Sequence, residues 1–156
     1  MNAPKYPFPE FLIGRCTQEV YLRWLQRKAT KHQKRDFKRG NTEATVAAYK
    51  VAIHHAVLAS GGYDDYTGHP LDWELISTYD NDASKAGKRT YKQRLGNLPS
   101  ADHVGDGLGA PDFRICAWRT NDAKNDLTYE EFVSLCRMVV EHHSRTAKAS
   151  TGSTAA

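Results

Sequence analysis

Asp102 and His103 set a carboxylate beside an imidazole, and Asn121 with Lys124 follows them across a glycine-rich segment and the alternating run Phe113 to Trp118. Neighbours on a regular strand point to opposite faces, so Asp102 and His103 are poorly placed to act as a charge-relay dyad. A division of labour is more natural, in which one residue holds a metal ion and the other addresses a water molecule from a neighbouring direction. Asn121, at the start of a helix that folds back on the hairpin, completes such a site through its amide oxygen. Oxygen donors with open positions suit magnesium or manganese, which keep waters and bind phosphate directly. Asn125 stands four residues after Asn121 and is the alternative ligand; its other reading is a polar helix end.

The ordered set resembles the HNH endonucleases, the ββα-metal nucleases. That family's motif is Asp-His or His-His on a first strand, a middle Asn, then a helix carrying His or Asn with Lys three residues later. Asp102-His103 matches the first element and Asn121-Asp122-Ala123-Lys124 the last. The resemblance implies that Asp102 and Asn121 ligate the metal and that His103 is the general base. Asp112 takes the middle position, where the family usually has an asparagine that braces the loop through backbone hydrogen bonds; aspartate accepts such bonds but cannot donate them. The cysteine knuckles of many relatives are missing, so no structural zinc is expected and hydrophobic packing must hold the motif. Tyr66-Thr67-Gly68-His69-Pro70-Leu71 is similar to a short turn upstream of the motif in some members. Arg119 and Lys124 border the site and suit phosphate contacts; their other reading is a solvated strand end or helix start. The implied reaction is one-metal hydrolysis of double-stranded DNA, with neutral His103 taking a proton from the attacking water. The resemblance covers roughly 60 to 145. The alternatives are a nucleic-acid-binding module of the same fold that has lost catalysis, which Asp112 makes conceivable, and a protein-binding helical protein whose Asp-His is incidental.

The elements that must position these groups are legible to different degrees. Thr17 suits the cap of a helix to about Arg39, with Leu22, Leu25 and Ala29 on one side. Thr42 suits the cap of a second helix to about Ala59, ended by Ser60-Gly61-Gly62. A short helix or strand is expected near 73 to 78 and a basic helix between Ser84 and Leu95. Strands are expected at Leu98 to Val104 and Phe113 to Trp118, and a helical turn opening at Asn121. Thr128-x-x-Glu131 is a capping box for a last amphipathic helix, with Phe132, Leu135, Cys136 and Val139 on one face. The expected architecture is α+β: a lead-in (1–15), a basic helical hairpin (16–62), an HNH-like nuclease domain with a ββα-metal core and C-terminal amphipathic helix (63–145), and a disordered tail (146–156).

The composition, 40% hydrophobic and 26% charged, is that of a folded chain and not a disordered one. A net charge of +4 permits a polyanionic partner without demanding one. Distribution says more: Arg23 to Arg39 hold eight Lys or Arg against one acid, Asp36, and 83 to 101 hold five against none. On a helix, Arg23, Arg27, Lys31, Lys34 and Lys38 form one stripe, opposite the apolar positions, that suits a phosphate backbone; the alternative is a solvated face. His54-His55 and His142-His143 fall near helix C-termini, where dipole compensation is the simpler reading. Trp24, Trp73 and Trp118 are expected to pack. Cys16, Cys116 and Cys136 form no CxxC pair, which predicts reduced, buried thiols. With no signal-like or membrane-spanning apolar run, the expectation is a cytoplasmic protein without a membrane partner.

Overall fold

A computed structural model describes residues 4–152. Thr17 caps helix α1 (Gln18–Lys38) by accepting from Val20 N at 3.2 Å. The inward positions, Tyr21, Trp24, Leu25, Ala29, His32 and Asp36, recur every three or four residues and are all buried, as an amphipathic helix requires. Helix α2 (Val46–Ser60) is capped by Thr45, not Thr42, since it is the Thr45 hydroxyl that accepts from Ala48 N. Gly61, in the left-handed region at φ +58°, ends it.

After a 3₁₀ turn at Trp73–Leu75, helix α3 (Asn81–Leu95) begins three residues before the expected Ser84, because the Asp80 carboxylate accepts from Ala83 N at 2.7 Å. Lys88, at φ +45°, kinks it. Strands β1 (Pro99–His103) and β2 (Phe113–Ala117) form an antiparallel pair, with Ala101 opposite Ile115, Asp102 opposite Arg114 and His103 opposite Phe113. Helix α4 (Trp118–Lys124) follows β2 at once. Asn121 is therefore mid-helix and does not open it. Asn125, in the left-handed region at φ +51°, stands just past its end, the position of a helix-terminating residue.

The architecture is α+β, helices with one two-stranded sheet. The face of the sheet bearing Ala101, Phe113, Ile115 and Ala117 shares one hydrophobic cluster with Leu25, Ala29, Tyr49, Ile53 and Val57 of the α1–α2 hairpin. Each of the larger ones, Leu25, Ile53, Val57, Phe113 and Ile115, stabilises the fold by roughly 1.5–3 kcal/mol through burial. No division falls at the expected 62/63 boundary for this reason: hairpin and sheet are two halves of one core. The chain divides instead between Ala123 and Lys124.

The second unit consists of helix α5 (Tyr129–Gly152) and its lead-in. The capping box forms as expected: Thr128 Oγ1 accepts from Glu131 N, and Glu131 accepts from Thr128 N. The helix runs through the part of the expected disordered tail that is described, 146–152, and the rest of that tail lies outside the described residues. None of its residues is buried, and Cys136 is exposed, unlike the buried thiol expected. Among the described residues no helix is long and apolar enough to cross a membrane.

Candidate active site

Alternation along β1 sends Ser100 and Asp102 to one face of the hairpin and Ala101 and His103 to the other. The first face carries α4. Asn121 Nδ2 donates to Ser100 Oγ at 3.3 Å, which fixes the amide across the strand and turns its oxygen to the opposite end of the group. Asp102 is buried, and its Oδ2 accepts from Tyr66 Oη at 2.5 Å. Burial, then that hydrogen bond, raise the Tyr66 phenol, so it stays a donor to the carboxylate. Asp102 and Asn121 thus share a face, one pleat repeat apart through Ser100. Their oxygens are the hard donors that a magnesium or manganese site with two protein ligands would use. Among the described residues no group of three or more His, Cys, Asp or Glu side chains is arranged to hold a metal.

His103 lies on the other face, with its side chain 7% exposed. Its ring meets Phe113 edge-on at 5.1 Å and stacks beside His32. Nε2 lies 2.9 Å from Asp36 Oδ2, close enough to pair but not aligned as a hydrogen bond. Asp36 is the lone acid of the basic run, and it is fully buried on the inward stripe of α1. Tyr49 Oη donates to its Oδ2 at 2.6 Å and Arg35 Nε to its Oδ1 at 3.2 Å. Burial pushes the Asp36 carboxyl up, but Tyr49, His103 and Arg35 outweigh it and hold the group below the ordinary carboxylate value. Tyr49 is pushed up to about 12 by burial and by the same carboxylate. His32 is pushed down to about 3, first by burial and then by Arg35, Lys28 and His103, so it adds no charge beside His103.

The glycine loop after β1 docks on this node. Gly107, at φ +81°, would place a Cβ 2.7 Å from Asp36 Oδ1, so no side chain fits there. Asn41, buried at the α1–α2 turn, donates through Nδ2 to Gly107 O at 2.8 Å and Gly109 O at 3.2 Å. This is the bracing that was expected of Asp112. The Asp112 side chain is exposed, and its backbone oxygen accepts from Val104 N to close the hairpin. Chemistry explains the exchange, because the bonds the loop needs run to carbonyls and only an amide can donate them.

Asp64, 1% exposed, fastens the segment around Tyr66 to the hairpin. Its Oδ1 accepts from Tyr66 N at 2.8 Å and Thr67 N at 3.1 Å, and its Oδ2 from Ala117 N at 2.9 Å and Thr120 Oγ1 at 2.6 Å. Asp65 exchanges two further bonds with Ile115. A carboxylate at the start of α4 also suits the helix dipole. Hydrogen bonds to one buried carboxylate, and not hydrophobic packing alone, therefore hold this segment to the hairpin.

The expected phosphate contacts separate into groups. Arg23, Arg27, Lys31, Lys34 and Lys38 are all exposed along α1. Arg23 pairs with Glu19, and Arg27 donates to Ile76 O at 3.2 Å. Arg119 is exposed and lies over Gly96, away from Asn121. Lys124 ends α4 with 6% of its surface exposed, which takes it out of the set of surface cations. His54 is a buried partner of Tyr21 at 2.7 Å, which assigns it to the core. Sequence reasoning missed Asp36, Asn41 and Asp64, although the place of Asp36 on the apolar stripe of a basic helix was a usable signal. No protein-family model, curated protein or solved structure matches the chain.

Proposed function

We propose that the chain is a metal-dependent endonuclease that hydrolyses phosphodiester bonds of DNA with an HNH-like core, β1, β2 and α4. The observation that carries this reading is the common face of Asp102 and Asn121, two oxygen ligands set by a strand and the helix that follows its hairpin. Magnesium or manganese bound there would supply charge stabilisation to the phosphate and the departing 3′ oxygen. Tyr66 orients Asp102 through one oxygen. Asn121 is oriented through its Nδ2, so its oxygen is the ligand end.

His103 is the base, acting at Nδ1, because Nε2 is the buried nitrogen that faces Asp36. A carboxylate beside Nε2 favours the tautomer protonated there and leaves the lone pair on Nδ1. There His103 takes the proton of the attacking water. His103 and Asp102 leave opposite faces of β1, so both address one phosphate only at the end of the strand, where the glycine loop begins. Asn41 fastens that loop at Gly107 and Gly109, and Gly107 brings no side chain to it.

The second reading is a nucleic-acid-binding module that does not cleave. The burial of His103 against Asp36 favours it. Plasmid nicking with each divalent metal and in EDTA separates the two, since the module binds and leaves the plasmid intact. Calorimetry with manganese tests the ligands: Asp102→Ala and Asn121→Ala should each weaken binding, whereas Asn125→Gly, which suits the left-handed backbone there, should not. A larger effect at Asn125 would move the ligand by one turn.

A further inference from the structure

A cleft of about 680 Å³ opens between α1, the segment 76–81, β1 and α4. One wall is cationic: Arg27, Lys28 and Lys31 converge on it from two turns of α1. Among the described residues none of the three has a carboxylate partner, and the acid that shares the cleft, Asp122, pairs with Lys92. Aromatic rings also line the cleft. Tyr79, 46% exposed, meets Trp118 edge-on at 5.6 Å, and both line the cleft. Ser100 and Asn121 form part of the lining, which joins the cleft to the candidate metal face.

Lys28 shows what the cationic wall lacks. It is half-buried over the Trp24 ring, and its amine is pushed down to about 8, first by burial and then by Lys31 and Arg27, with Cys116 acting the other way. Three cations held together against their own repulsion favour an anion between them. An exposed tyrosine in the same lining offers a stacking surface. The volume lies within the range of single-ligand pockets and far below what a base-paired duplex needs.

We infer that this cleft takes one unpaired nucleotide of a nucleic-acid strand, its phosphate against Arg27, Lys28 and Lys31 and its base against Tyr79 and Trp118. The inference rests on the reading of this face as a nucleic-acid site and adds that the substrate carries single-stranded or extruded nucleotides. It does not require cleavage.

The test is fluorescence anisotropy in EDTA, with a short labelled oligothymidylate and a blunt duplex of the same length. The single strand should bind at least about tenfold tighter. Tyr79→Ala should weaken it by about 5- to 150-fold, the range for one stacked base, while Tyr79→Phe, which keeps the ring, should not. Replacing Lys28 and Lys31 together by Gln should flatten the salt dependence by up to about 0.7, the share of one phosphate. Wild-type affinity should fall as pH rises through about 8, where Lys28 loses its charge, and Lys28→Gln should lose that component. Equal or tighter binding of the duplex overturns the inference. So does single-strand binding that survives Tyr79→Ala in a protein that melts like wild type. Tight single-strand binding without nicking in manganese removes the nuclease reading and leaves the cleft; nicking with the cleft variants unaffected does the reverse.

Discussion

Replacing Asp64 by asparagine changes almost no volume and separates the hydrogen-bond anchor from simple packing. The carboxylate accepts four bonds, two at each oxygen. An amide has one oxygen and one NH₂. With the oxygen towards Ala117 and Thr120, the NH₂ meets the backbone N–H groups of Tyr66 and Thr67. Turned round, it meets the Ala117 N–H and the Thr120 hydroxyl. Either way two donors lose their acceptor, and at least one is a backbone N–H that cannot rotate. A buried unsatisfied donor costs about 1–3 kcal/mol, so with one or two left unsatisfied the loss is about 1–6 kcal/mol, a large part of a typical domain's stability. For a chain of this size the melting temperature should fall by about 2–20 °C. Urea unfolding followed by tryptophan fluorescence suits the measurement, because Trp24, Trp73 and Trp118 all lie in the unit that contains Asp64. A loss below about 1 kcal/mol would refute the anchor and return the role to hydrophobic contacts.

Asp36 should appear in the acid limb of stability. Its carboxyl is held below the ordinary value in the folded state, so its contribution is present above the unfolded value of about 3.9 and is lost as pH falls through the folded one. Asp36→Asn should be less stable at neutral pH and flatter in acid by urea titration; parallel curves would contradict this. Asn41→Ala removes two bonds to the glycine loop and should speed hydrogen exchange of the loop amides, with a stability loss of about 1–3 kcal/mol. Unchanged exchange at 105 to 110 would show that the loop is held elsewhere.

Local patterns carried most of the fold. The Thr17 cap, the two strands, the Gly61 stop and the Thr128–Glu131 box are each encoded within four or so residues, and each forms. What local reading missed depends on partners far along the chain. Asp64 reads as a turn residue until Ala117 and Thr120 come back to it, and Asn41 as a helix breaker until Gly107 does. Asp36 stands at the end of the spacing Leu25, Ala29, His32, so its inward position was visible, but not the histidine it meets. Small polar residues after Thr146 read as a disordered tail, yet alanine and lysine among them are good helix formers and α5 runs on to Gly152. The metal-face pair was legible in part: Asp102 and Asn121 do share a face, and strand alternation had already set His103 on the other. The brace was misplaced, because it belongs to Asn41 and not to Asp112.

The most direct test of the central proposal is the plasmid-nicking rate of the full chain in manganese, measured side by side for wild type and His103→Ala. The account predicts metal-dependent nicking that falls by about 10²- to 10⁴-fold in the variant, the usual contribution of a general base, while manganese binding by calorimetry is retained. Nicking by His103→Ala at the wild-type rate, or no nicking by the wild type with any divalent metal, would contradict it.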